Sequence, residues 1–231
     1  MPLPHVTVIL AMSADGKIAD AQRSAARFSS DHDLAHLEAE IAEADAVLMG
    51  AETLRAYGTT LPVRHPDLID QRRRREQASQ PVQIICSASG SLPRDLAFFR
   101  QPVPRGLLTT PAGASLWRQE FDYIWPLNAW HWPDILQSLG KYGIERLALL
   151  GGGELVAALV AADCVDELVL TVCPLLLGGK MAPTPMDGEG FWADQAPRLV
   201  LCSVDTFDQE VRLRYRLQRS GNSITLGNNQ P

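Results

Sequence analysis

Two short aliphatic runs, each closed by glycine and followed at once by helical spacing, constrain this chain more than any other feature. Val47-Leu48-Met49 ends at Gly50 and leads into Ala51-Glu52-Thr53-Leu54-Arg55. Leu147-Ala148-Leu149-Leu150 ends at Gly151-Gly152-Gly153 and leads into the helical stretch Glu154 to Ala162. Short, fully apolar runs suit strands covered on both faces. Strand–glycine–helix units belong to parallel sheets, where ligands bind at the carboxyl edge.

The rest of the chain keeps the same alternation. Val6 to Met12 reads as a strand stopped by Asp15-Gly16. Ser30-Asp31-His32-Asp33 has the form of a helix start, with Leu34, Leu37, Ile41 and Ala44 following at helical spacing. Val82 to Cys86, Gly106 to Thr110, Phe121 to Trp125, Arg146 to Leu150 and Asp166 to Cys173 read as strands, and Pro133 to Lys141 as a helix. Arg198 to Val204 and Glu210 to Gln218 have no helix between them and read as a closing antiparallel pair. Leu61 to Pro81 reads as irregular, and residues 220–231 as a disordered polar tail. The expected fold is one α/β domain over residues 1–219. Its mainly parallel central sheet carries helices on both faces and an antiparallel C-terminal edge.

Composition narrows the function. A formal net charge of −6 gains nothing from phosphate counterion release, which argues against a nucleic-acid partner. The run Arg72-Arg73-Arg74-Arg75 is the local exception and reads as a solvated loop. Cys86, Cys164, Cys173 and Cys202 form no C-x-x-C pair; they read as reduced, buried small hydrophobes. No apolar run nears the ~20 residues of a membrane span, and Met1 to His5 lacks a signal-peptide pattern, so the expected location is the cytoplasm. His32 and His36 stand four apart on one helix without a third ligand and read as a polar face rather than a metal clamp. Trp117, Trp125, Trp130 and Trp132 read as core or dimer-interface packing before they read as a stacking platform.

Glycine at a strand-to-helix turn lets a phosphate approach the backbone, and the helix start offers free N–H groups. Two such turns suit a dinucleotide. The ordinary dinucleotide fingerprint does not match: G-x-G-x-x-G needs glycine where Val156 stands.

Three motifs together are more specific. Met12-Ser13-Ala14-Asp15-Gly16-Lys17-Ile18-Ala19, Ala44-Asp45-Ala46-Val47-Leu48-Met49-Gly50-Ala51-Glu52-Thr53 and Leu150-Gly151-Gly152-Gly153-Glu154-Leu155 occur in that order. Val165-Asp166-Glu167-Leu168 and Pro174-Leu175-Leu176-Leu177-Gly178-Gly179 follow. From Val6 to Gln218 the chain resembles the riboflavin-biosynthesis reductase family, which has a dihydrofolate-reductase-like three-layer fold. The resemblance implies an NADPH-dependent reduction of 5-amino-6-(5-phosphoribosylamino)uracil, ribosyl to ribityl. It implies cofactor contacts at Ala11, Gly50, Thr53, Gly151, Gly152, Gly153, Glu154 and Leu155, with the adenosine 2′-phosphate near Ser87. On the substrate side it implies Ser29, Arg64 and Lys17, the last as the one catalytic candidate. It implies a homodimer joined near the C-terminal strands. The family's deaminase half has no counterpart here, so the chain reads as a stand-alone reductase.

Four positions depart from the family pattern. Tyr57 replaces an aspartate, Thr59 a proline, Ile41 an arginine and Leu150 a glutamate. They leave two alternatives open: another reductase of the same fold acting on a pterin, dihydrofolate or other small molecule, and a catalytically silent nucleotide-binding protein.

Overall fold

The computed structural model describes residues 3–117 and 119–218; the expected polar tail lies outside them. A nine-stranded sheet runs in the order β5-β4-β3-β2-β6-β1-β7-β9-β8. Its strands are β1 (His5–Ser13), β2 (Ala46–Gly50), β3 (Val82–Cys86), β4 (Arg105–Thr109), β5 (Tyr123–Pro126), β6 (Arg146–Leu149), β7 (Glu167–Cys173), β8 (Arg198–Phe207) and β9 (Glu210–Gln218). The first seven are mutually parallel, and β9 runs antiparallel to both β7 and β8. The mainly parallel sheet with an antiparallel C-terminal edge follows the sequence expectation.

Alternate residues along each strand enter different cores because successive side chains point to opposite faces. Val8, Leu48, Ile84, Leu108 and Leu149 pack with α5 (Trp132–Gly140) and α6 (Gly153–Ala161). Ile9, Val47, Ala148 and Val169 pack on the other face with α1 (Asp31–Glu43) and beside α3 (Pro66–Arg74). Met49, Ile85 and Leu107 meet α2 (Ala51–Tyr57) and an aromatic group of Phe98, Trp117 and Phe121. The short α4 (Pro111–Ala114) follows β4. Trp117, Trp125 and Trp132 are buried in these cores, while Trp130 is exposed.

The segment expected to be irregular contains α3. Pro66 at its first position and Asp67 in its first turn start it, as both residues favour helix N-termini. The four arginines hid this, because their charge masks the helical face. Arg72 is 2 % exposed, which corrects the solvated-loop expectation for that residue. Its guanidinium donates to the carbonyls of Ala42 and Ala44, at the end of α1, and of Ala78. A cation there satisfies carbonyls the helix leaves unpaired. Arg73 and Arg75 instead pair at the surface with Asp70 and Glu43.

The cysteine expectation also needs correction. Cys164 and Cys173 are buried, but Cys202 is exposed, because β8 is an edge strand paired only to β9. No described helix is long and apolar enough to cross a membrane.

Replacing Arg72 with Met is expected to destabilise the protein by about 3 kcal/mol, since two buried carbonyls lose their donor. Urea unfolding measures this. A loss below about 1 kcal/mol would show that the α1–α3 joint does not depend on the guanidinium.

Candidate active site

The strand order puts β2 directly beside β6, so the two glycine turns meet. The Gly50 N–H donates to the Gly151 carbonyl at 2.9 Å. The Thr53 hydroxyl lies 3.4 Å from where a Cβ on Gly152 would stand. Ser87 follows Cys86, the register partner of Gly50, and is buried at the next turn along the same edge. On the other side, β1 outruns its neighbour. It pairs with β6 only as far as Val8–Leu149 but with β7 as far as Ser13–Cys173. Leu10, Ala11 and Met12 thus border a slot on the β6 side, and Ala11 is half-buried there.

The glycines divide by physical necessity. Gly151 has a φ of +91°, a conformation that favours glycine. A Cβ on Gly153 would collide with the Thr184 carbonyl and come within 2.6 Å of the Asp187 carboxylate. The chain's own 184–187 loop therefore dictates glycine there. Neither reason applies at Gly50 and Gly152. Both have φ of −73°, and a Cβ on either would meet only ordinary contacts, at 3.6 and 3.4 Å. No steric contact dictates glycine at either position, and a bare backbone is what a phosphate needs for close approach. The amides of Gly153 and Glu154 open α6, where no preceding carbonyl of the helix claims them. The amide of Leu155 already donates to the Gly152 carbonyl, so Leu155 has no main-chain donor left for a ligand. The Glu154 side chain is exposed.

The turn after β1 carries Lys17. Ser13 donates its hydroxyl to Asp15 and accepts from the Lys17 amide. Asp15 also accepts from the amides of Leu177 and Gly178. These bonds, the one from Ser13 foremost, hold the Asp15 carboxyl down at about 2. They lock the turn to the loop after β7. The Lys17 ammonium reaches the Ala182 carbonyl at 3.4 Å.

Ser30, not Ser29, caps α1: its hydroxyl accepts from the Asp33 amide. Ser29 lies beside the Asp33 carboxyl and favours its ionised form. Arg64 is exposed, and its amide, with that of His65, donates to Glu38. That anchor lies about 7 Å along α1 from Asp33. His32 stacks on Phe207, with ring centroids 5.4 Å apart. His36 lies against Glu40, and burial, aided by Arg212 and Arg214, pushes its pKa down to about 4.

Sequence reasoning missed Asp33 as anything beyond a helix-start acid. Its side chain is buried, and Thr171 donates to it at 2.6 Å. Thr171 is the register partner of Ala11, so this carboxyl lies behind the slot. Burial raises its pKa, and nearby Glu210 adds to the shift against the opposing effects of Thr171 and Ser29. An acid in a first helical turn is too common to have revealed this.

Three of the four departures have structural explanations; nothing in the structure explains Thr59. Ile41 is fully buried in the core, and Leu150 packs against two core clusters. Tyr57 donates its hydroxyl to the Ala26 carbonyl at 2.8 Å, tying the end of α2 to the segment ahead of α1.

Gly153→Ala is expected to cost about 2 kcal/mol in thermal unfolding, and Gly152→Ala less than about 1 kcal/mol. Equal losses would undo this division of the glycines.

Comparison with known proteins agrees with the architecture. The chain is 26% identical over 193 residues to the 2,5-diamino-6-ribosylamino-4(3H)-pyrimidinone 5′-phosphate reductase of Archaeoglobus fulgidus, covering 81% of this chain and 88% of that one. It is 28% identical over 224 residues to the riboflavin biosynthesis protein RibD of Actinobacillus pleuropneumoniae, covering 92% of this chain and 56% of that protein. Among solved structures, Acinetobacter baumannii RibD superposes with a TM-score of 0.78 at 25% identity, covering 94% of this chain and 58% of that one. The chain thus spans little more than half of the RibD proteins it matches. The family described as RibD C-terminal domain matches residues 4–213, and the chain belongs to that family of riboflavin-biosynthesis reductases.

Proposed function

We propose that this protein is an NADPH-dependent reductase converting the ribosyl group of a phosphoribosylaminopyrimidine to ribityl. The observation that carries this reading is the pair of adjoining turns whose glycines at 50 and 152 the fold does not require, opening beside the uncovered edge of β1. Gly50, Thr53, Gly152, Gly153 and Glu154 would hold the pyrophosphate through backbone and hydroxyl. Ser87 would meet the adenosine end, and Ala11 would lie beneath the nicotinamide. Held there, NADPH would supply a hydride for reduction at C1′ of the sugar.

The chain's own residues orient the acceptor and manage the proton. Lys17, fixed by the Ser13–Asp15 turn, faces a sugar hydroxyl or the substrate phosphate. Ser29 lies on the other wall, with the Asp33 carboxyl buried behind it. In an open-chain imine, hydride at C1′ leaves an electron pair on the attached nitrogen. The carboxyl of Asp33, buried and disposed to keep its proton, supplies that pair with hydrogen and is reprotonated from water. Arg64 is the candidate for the phosphate, for which a guanidinium is well suited.

The leading substrate is 5-amino-6-(5-phosphoribosylamino)uracil. A second substrate, the 2,5-diamino-pyrimidinone form, is favoured by the name of the archaeal relative, 88% of whose length is matched. The two differ only on the ring, away from the reacting carbon. The working setting is the cytoplasm, with a small-molecule substrate and no nucleic-acid or membrane partner. A homodimer through β8 fits the exposed Leu199, Leu201 and Val204 on that strand, each 43–52 % exposed. Edge strands of this kind are usually covered.

NADPH oxidation with both pyrimidines, dihydrofolate and a pterin tests the activity. Turnover of a phosphoribosylaminopyrimidine alone is expected. Turnover of dihydrofolate or the pterin instead would favour another reductase, and cofactor binding without any turnover a silent nucleotide binder. Lys17→Ala is expected to lower kcat/KM about 100-fold while NADPH affinity changes less than about twofold. Gly152→Val is expected to weaken NADPH binding at least about tenfold. Unchanged binding would remove the glycine cradle. Sedimentation at micromolar concentration is expected to give a dimer, and Leu201→Asp a monomer; a monomeric wild type would end the dimer reading.

A further inference from the structure

Behind the proposed substrate wall lies a second buried carboxyl that the reaction does not touch. Glu210, at the start of β9, is 4 % exposed. One of its oxygens accepts from the Ser30 amide at 2.9 Å, and the other from the Ser30 hydroxyl at 2.6 Å. The same Ser30 hydroxyl accepts from the Asp33 amide. Asp33 in turn takes the Thr171 hydroxyl. One continuous set of hydrogen bonds therefore runs from β9 through the head of α1 to β7, behind Ala11. We infer that Glu210 is a positioning residue for the reduction: it clamps Ser30 at the head of α1 and so sets the place of Asp33.

The chemistry favours a carboxylate at 210. Glu210 takes two donors from a single residue, an amide and a hydroxyl, and fixes Ser30 in two directions. Two carboxyls sharing one buried site cannot both ionise easily. Glu210 takes two hydrogen bonds from Ser30, and its proximity opposes ionisation of Asp33. The groups facing Asp33 from neighbouring elements are few. From β9 come Glu210, which opposes its ionisation, and Arg212, which favours it. Arg212 is partly engaged by Asp205 and lies over the Phe207 ring. From β7 come Thr171 and Cys173. The Cys173 thiol, pushed up to about 12 by burial and by Glu210, stays neutral. From the segment ahead of α1 come Ser29 and Ser30. On α1 itself, His36 lies a turn away and is neutral above about pH 4.

This inference rests on the reading of Asp33 as the proton-holding group, so the test separates the two. The Asp33 carboxyl is titrated by carbon NMR of isotope-labelled protein, with no substrate present, in wild type and Glu210→Gln. The glutamine keeps the shape and removes the charge. The Asp33 midpoint is expected to fall by about one pH unit, with NADPH affinity within about twofold of wild type. The high-pH limb of kcat/KM is expected to fall by the same amount, because Asp33 then loses its proton earlier. Ser30→Ala keeps the charge and the amide bond to Glu210 but removes the hydroxyl half of the clamp and the cap on the Asp33 amide. It is expected to lower kcat about tenfold or more and leave the Asp33 midpoint in place. An unmoved Asp33 midpoint in Glu210→Gln, or wild-type kcat in Ser30→Ala, overturns the inference. If the midpoint moves as expected while the pH limb stays fixed, the coupling stands and the role of Asp33 in turnover falls.

Discussion

The hydrogen bond from the Gly50 amide to the Gly151 carbonyl is the constraint from which the site follows. It exists because β6, late in the sequence, inserts between β1 and β2. That insertion brings two strand-to-helix turns, a hundred residues apart, onto one edge of the sheet. It also leaves the last residues of β1 without a partner on the β6 side. Cradle and slot are two consequences of one topological choice, in keeping with the general rule that α/β sheets bind ligands where strand order reverses.

Beside the slot, the molecule buries charge in an unusual way for a small α/β protein. Asp33 and Glu210 are both nearly inaccessible, and burying a carboxylate is unfavourable unless donors surround it. The donors are present: Thr171, with Ser29 beside it, for Asp33, and Ser30 twice for Glu210. At the other edge of the sheet, Asp45 accepts the amides of Glu145 and Arg146, and Asp166 accepts that of Val6. Those carboxylates close strand ends at the surface. The Asp33–Glu210 pair instead stands where β1 and β7 project past β6, beneath the head of α1. That position is what separates a chemical role from a structural one.

The departures from the family pattern concern mainly the proposed substrate side. Ile41 and Leu150 pack among apolar side chains, so the charges they replace leave no unpaired partners behind. Tyr57 has become a strut onto Ala26. Gly50, Thr53 and Gly152, the proposed cofactor contacts, match the family pattern. On the proposed reading, polar recognition on the substrate side would then fall to Lys17, Ser29, Asp33 and Arg64.

Periodicity and glycine punctuation in the sequence determined the alternation of strands and helices, the parallel core and its antiparallel edge. Both depend on local pattern, two residues per repeat in strands and 3.6 in helices. The same local evidence failed at α3, where Arg72 occupies a buried position through three carbonyls contributed by distant segments. It identified the glycine turns but did not sort them: a Cβ on Gly153 would collide with a loop thirty residues away, whereas one on Gly152 would meet only the Thr53 hydroxyl, at ordinary contact. Asp33 and Glu210 were illegible for the same reason. An acid at a helix start and an acid at a strand start are commonplace in sequence. Only the packing of β9 against β7 and α1 brings them into one buried site, where dielectric and hydrogen bonding change what a carboxyl can do.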